Sequence, residues 1–354
     1  MVKRLFDDGW EISTAASMME MSMAPWKPVT LPHDVAMAMP RAADNPTGSG
    51  GGYAWSGAVT YRKTFEVPEA WAGKVVQLEF EGVYMNAQVS VNGDIAAFHP
   101  YGYTSFLVDL TPYLKVGAEN VVTVVVNNSA QPNSRWYSGT GIYRHVWLRL
   151  SNLVRIVPWG VFVKTPVADP DVSHVRVRTE IANDTRTNTQ AVMRSTIIDA
   201  EGEAVAQTES PVAIQAGATS VVAQTLVVAP AALWSVDAPH LYTLESELVV
   251  DGEVADAQST TFGIRSIAID AENGFRLNGV PLKLKGGCVH HDNGLLGAAS
   301  YDRAEVRKIE LMKSAGFNAI RCAHNPPAPA MLDACDRLGM LVIDEAFDCW
   351  REGK

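Results

Sequence analysis

The chain has 354 residues, 47% of them hydrophobic, and a formal net charge of −10, which fits two or three soluble domains, each with a core of its own. The acidic balance excludes the basic face that nucleic-acid binding needs, so no nucleic acid is expected as a partner. The N-terminal "MVKRLFDDGWEIS" turns acidic where a signal peptide would turn apolar, and no later stretch approaches a membrane span, so no membrane is expected as a partner either.

Residues 1–155 read as all-β. Short alternating runs such as "VVQLEFEGV" and "VVTVVV" are separated by turn signals like "VNGD" and "KVGAEN", and Asn92-Gly93 between apolar runs predicts a hairpin. The Gly-rich "NPTGSGGGYAW" leads into the strand-like "AVTYRKTFEV" rather than into a helix. It is therefore a flexible loop and not a phosphate cradle. "SGTGIYRHVWLRL" fails the same test.

Residues 156–264 continue in β-structure. Val175, Val177, Thr179 and Ile181 alternate as a half-buried strand should. Further strands at roughly ten-residue intervals predict an immunoglobulin-like sandwich without its usual disulfide.

The pattern changes after "FGIRSIAID". "VPLKLKGGCVHH" reads as a strand. "YDRAEVRKIELMKSAGF" has helical spacing at Val306, Ile309 and Met312, with Asp302 and Glu305 placed as an N-cap and its capping-box partner. "NAIRCAH" is a second strand. "PAMLDACDRLG" is a helix with Met331, Leu332, Cys335 and Leu338 on one face and Gly339 closing it. "MLVIDEA" is a third strand. Such β-α-β-α-β alternation predicts a parallel sheet with right-handed crossovers.

Polar residues gather where these strands end: His290, His291 and Asp292, then His324 and Asn325, then Asp344, Glu345 and Asp348. In a (β/α)8 barrel that end carries the chemistry. A complete barrel takes about 250 residues, whereas 89 follow Arg265, so residues 265–354 are expected to hold only its first three strands and two helices.

All four cysteines, Cys288, Cys322, Cys335 and Cys349, fall in the last 67 residues and none forms a CxxC pair. A disulfide framework is not expected, a reducing cytoplasmic setting fits, and small apolar residues packed in a barrel are a better reading than zinc ligands. HExxH, GxSxG and P-loop motifs are absent.

Together, "YRKTFEVP", "WYSGTGIYRHVWL", "LWSVDAPHLYTL", "FGIRSI", "LKGGCVHHDNGLLG", "NAIRCAHNPP" and "LVIDEAFDCW" resemble glycoside hydrolase family 2 along the whole chain and in the family's order. The resemblance implies a jelly-roll sugar-binding domain, an immunoglobulin-like domain and the start of a TIM barrel. It implies the N-terminal portion of a retaining exo-β-glycosidase, a β-galactosidase first of all, acting on a β-galactoside or related oligosaccharide. β-Glucuronidase and β-mannosidase share the architecture.

In this family the catalytic carboxylates stand on later strands, the acid/base in an Asn-Glu pair, and no Asn-Glu pair follows residue 265. No catalytic residue is thus expected within these residues. Asp344 and Glu345, being adjacent, point to opposite faces of a strand and cannot flank one glycosidic bond; bracing loops or orienting neighbours is their expected role. His290, Asp292, His324 and Asn325 match the family's sugar-contacting turns. Asp348 and Trp350 are candidates to line the sugar site, as is Arg135, beside Trp136, from the first domain.

Some relatives hold Mg²⁺ through a Glu and a His, where this chain has Cys349 and Arg351. Neither is a hard oxygen donor, and no cofactor is expected. Possible partners are a homo-oligomer or a chain supplying the remaining barrel. The rival reading from another class is a non-catalytic carbohydrate-binding or scaffold module, although a purpose-built module would not carry the open strand edges of a barrel fragment.

Overall fold

The computed structural model describes residues 1–14 and 25–347. A four-stranded antiparallel sheet (Val2–Leu5, Val146–Ser151, Val75–Phe80 and Phe106–Asp109, in spatial order) faces a six-stranded one that includes Ala58–Val67, Ala118–Asn127, Ala87–Val91 and Asp94–His99. This is the jelly-roll domain. Its core holds Trp10, Tyr61, Leu78, Phe80, Val89, Val124 and Leu148, each close to fully buried. Asn92 and Gly93 both take positive φ between Ala87–Val91 and Asp94–His99, as the expected two-residue hairpin requires.

The immunoglobulin-like sandwich pairs a three-stranded sheet (Val154–Val167, Ser173–Asn183 and Ala218–Val228) with a four-stranded one (Ala204–Ile214, Thr189–Ile198, Tyr242–Val250 and Glu253–Phe262). Val175, Val177, Thr179 and Ile181 all face inward, so the period-two reading holds.

The barrel begins with Gly286–Val289, Ala319–Cys322 and Leu341–Ile343, paired in parallel in chain order. The helices Asp302–Ser314 and Pro329–Leu338 form the crossovers. Ile309, Ile320, Cys322, Met331, Ala334, Cys335 and Met340 make their shared core, with Val306, Met312 and Leu338 packed against it as expected. Two of the cysteines thus serve as small apolar filling, while Cys288 is exposed. Gly339 takes the left-handed conformation (φ 72°, ψ 51°) and donates its N–H to Cys335 O, ending the second helix as its position predicts.

Three local expectations are corrected. "VPLKLKGGCVHH" is not one strand. Val280–Pro281 pairs antiparallel with Gly274–Leu277 in a preceding hairpin, and only Gly286–Val289 enters the barrel sheet. Leu332 lies on the outer side of its helix, and Ala334 takes the buried place instead. The capping box does not form. The N-cap is Tyr301, and Asp302 is the first helical residue, its carboxylate turned to His145 Nε2 at 3.0 Å. Glu305 is buried and accepts from Ser300 Oγ and Asn293 Nδ2, both at 2.8 Å. Tertiary partners have outbid the local cap. Among the described residues no helix is long and apolar enough to cross a membrane.

Candidate active site

The barrel mouth is built from turns that follow strands, because side chains just past a strand end leave the sheet's packing and face the open end of the barrel. After the second strand comes His324. Its Nδ1 lies 2.6 Å from Glu345 Oε2, just beyond the third strand. Glu345 also accepts from Arg321 Nε at 2.7 Å. The His324 hydrogen bond, followed by the Arg321 guanidinium, holds the Glu345 carboxyl below its usual range. Donation from Nδ1 leaves Nε2 of His324 as the nitrogen available to a ligand. Glu345 is therefore an orienting group, in the role expected of the Asp344–Glu345 pair.

From the first domain, the Trp136 ring stacks on His290 (centroids 5.5 Å apart, 24° between planes) and tilts against His324 (5.4 Å, 55°). Its indole N–H donates to Tyr103 OH at 3.0 Å. Trp136 thus joins the turns after the first and second barrel strands. Arg135 sits exposed on the rim of the same loop, with its Cα against Gly50.

His291 is buried beneath this layer. Its Nε2 donates to Ser138 O at 3.1 Å, and Tyr103 and Tyr143 pack edge-on against its ring. Burial pushes its pKa down to about 3, so it is a neutral structural imidazole. Asn325 is buried nearby, in a small cavity it lines with His290, His291 and Cys322. Asp292 is half-buried, close enough for its charge to add to the burial and the Asp34 contact that raise the Tyr137 phenol. Asp348 and Trp350, with Cys349 and Arg351, lie outside the described residues.

Three polar clamps fix the first domain to the barrel, and none was expected from the sequence. Asp34, 5% exposed, accepts four hydrogen bonds: Oδ1 from the amides of Ala36 and Thr140, both at 3.0 Å, and Oδ2 from the Ala298 amide at 2.8 Å and the Tyr137 hydroxyl. Gly139 has φ 71°, and a Cβ there would meet both Asp34 Oδ2 and Ala298 Cβ at 2.7 Å. The "SGTG" motif thus owes this glycine to a close approach as well as to its backbone conformation. Arg144 donates to Tyr103 O at 3.1 Å and to Pro326 O at 2.9 Å. His145 bridges Asp7 Oδ2 (2.6 Å) and Asp302 Oδ1 (3.0 Å). Burial alone would lower its pKa, but the Asp7 hydrogen bond and the charges of Asp7 and Asp302 outweigh burial and push it up to about 9.

Two β-sandwiches lead into parallel β/α units, with imidazole, carboxylate and indole groups meeting at the strand ends. Three family models match in succession: glycosyl hydrolases family 2, sugar binding domain, over residues 29–153; glycosyl hydrolases family 2 over 154–265; and glycosyl hydrolases family 2, TIM barrel domain, over 267–348. The chain belongs to glycosyl hydrolase family 2.

It is 46% identical over 329 residues to the β-galactosidase BoGH2A of Bacteroides ovatus, covering 93% of this chain and 39% of that relative. It is 31% identical over 311 residues to a β-glucuronidase of Formosa agariphila, covering 82% and 32%. The crystal structure of a family 2 member from Bacteroides cellulosilyticus superposes with a TM-score of 0.94 at 43% identity, over 100% of this chain and 47% of that one. The chain therefore spans less than half the length of these relatives.

Proposed function

We propose that this chain is the N-terminal portion of a retaining exo-β-glycosidase that releases terminal β-D-galactosyl units. In this reading residues 1–155 form the sugar-binding unit, 156–264 the immunoglobulin-like unit and 265–354 the opening of the barrel, working in the cytoplasm without a cofactor.

The observation that carries it is the meeting of His290, His324 and Trp136 at the ends of the first two barrel strands, with His324 oriented by Glu345. His324 Nε2 then addresses sugar hydroxyls. His290, Asp292, Asn325, Asp348, Trp350 and Arg135 complete the substrate surround. Retention requires an acid/base and a nucleophile about 5–5.5 Å apart. Glu345 is engaged by His324 and Arg321, and the resemblance to the family implies that both catalytic carboxylates stand on later barrel strands. The resemblance to BoGH2A favours galactose; the Formosa agariphila relative supports β-glucuronidase as the second reading.

The test is hydrolysis of a panel of aryl β-glycosides. The 354-residue chain should turn over none of them, and a version extended through the remaining barrel strands should cleave the β-galactoside. Turnover by the 354-residue chain, its mass verified, would overturn the assignment of the carboxylates. Preference of the extended protein for the β-glucuronide would replace the sugar.

A further inference from the structure

Between the immunoglobulin-like sandwich and the barrel opens a cleft of about 700 Å³, lined by Lys164, Thr165, Trp234, Phe262, Arg265 and Asp336 among others. It lies away from the barrel mouth. Asp336 stands near the end of the helix that leads into the Leu341–Ile343 strand, and the mouth residues follow the opposite ends of the strands.

The Arg265 guanidinium sits 4.6 Å above the Trp234 ring, and the Trp234 indole donates to Asp336 O at 2.8 Å. The cation therefore rests on an anchored platform. Among the described residues the Arg265 guanidinium, the Asp336 carboxyl and the Lys164 ammonium make no hydrogen bond or close ion pair, although Arg265 and Asp336 feel each other's charge across the cleft. Lys164 only approaches the Phe162 ring, at 5.3 Å. Arg265 is half-buried, whereas Lys164 and Asp336 are exposed at the cleft's edge; a half-buried charge is ordinarily paired, because leaving water without a partner is costly. Burial depresses the Arg265 pKa and raises that of Asp336, each partly offset by the other's charge.

Two cations and one acid beside the Trp234 and Phe262 rings select for a monoanion. The planar fork of an arginine matches a carboxylate, while Asp336 disfavours a dianion and offers an acceptor to hydroxyl groups. We propose that this cleft is a binding site for a small hydroxylated carboxylate, held by Arg265 and Lys164 through its carboxylate and by Asp336 through a hydroxyl. The "FGIR" stretch then carries a ligand-binding arginine as well as the chain's passage into the barrel.

The test uses the chain labelled with ¹⁵N-tryptophan and titrated with sodium D-gluconate at constant ionic strength, with sorbitol as the uncharged match. The Trp234 indole signal, identified by its loss in Trp234→Phe, should shift saturably with a Kd of about 1 mM or tighter. Sorbitol should leave it in place. Arg265→Met should weaken binding roughly 10- to 100-fold, the loss of a charge-assisted hydrogen bond. Lys164→Met, more peripheral to the fold, should weaken it roughly two- to fivefold.

Absence of a saturable shift, an equal shift with sorbitol, or unchanged affinity in both variants would overturn the proposal. Tighter binding of inorganic phosphate would overturn the choice of carboxylate. Concentration-dependent association in sedimentation velocity, abolished by Arg265→Met, would assign the cleft to a carboxylate of a second copy and overturn the small-molecule reading.

Discussion

His324 and Glu345 meet at 2.6 Å across the ends of neighbouring barrel strands, so a carboxylate on one strand sets which nitrogen of the imidazole on the other carries the proton. In Glu345→Ala the Nδ1–H form loses its acceptor. Imidazole ¹⁵N spectra should show His324 changing from one tautomer to a mixture. The pair is partly solvated, so the loss of stability should stay below about 1 kcal/mol. A fixed tautomer in the variant would mean that another group orients the ring.

Trp136→Ala removes a half-buried indole stacked on His290 and tilted against His324. Aromatic pairing and partial burial together predict a loss of about 1–2 kcal/mol in urea unfolding. Trp136→Phe should restore most of it. An unchanged midpoint in Trp136→Ala would show that the two histidine turns hold their positions without the first domain's ring.

Asp34 is the most demanding polar site in the interface. Asp34→Asn replaces an oxygen facing two donors by a third donor. A loss of roughly 3 kcal/mol is expected, the summed effect of broken and unsatisfied hydrogen bonds. Amide exchange should accelerate at Ala298 and Thr140 more than in the immunoglobulin-like sandwich. Uniform acceleration would indicate global destabilisation instead of a released clamp.

Half-buried His145 and buried His291 predict opposite pH limbs. For His145 the folded pKa of about 9 exceeds the unfolded value of about 6.5. Its contribution is fully present below pH 6.5 and lost as pH rises through 9, roughly 2–3 kcal/mol in all. For His291 the folded pKa of about 3 lies below the unfolded one. The unfolded chain takes up the proton first, and stability falls as pH drops from about 6.5 toward 3. Denaturant midpoints across pH should show His145→Asn flattening the alkaline limb and His291→Gln the acid limb. An alkaline limb unchanged in His145→Asn would refute the bridging imidazolium.

Much of the fold was legible because the signals are local. Val175 to Ile181 alternate, Asn92-Gly93 demands positive φ, and Gly339 ends a helix where its left-handed backbone permits. The strand-end location of His290, His324 and Glu345 followed from the parallel pattern. What could not be read was long-range. Asp302 looks like an N-cap until its partner is found at His145, and nothing near Asp34 announces an acceptor for Ala298, 264 residues away. The lone signal for that contact was Gly139 in "SGTG", which marks a tight approach without saying to what. Leu332 failed for a different reason. Its spacing suits an inner face, but the smaller Ala334 fits the gap between helix and sheet.

The Asp34 clamp also has a consequence for the order in which the chain is made. Synthesis runs from the N-terminus, and early domains fold while later residues are still being added. The Asp34 carboxyl and the Thr140 turn can therefore be in place before Ala298 is translated. The loop after the first barrel strand would then emerge beside a finished receptor and settle on it, so that the first domain acts as a mould for the barrel's first turn.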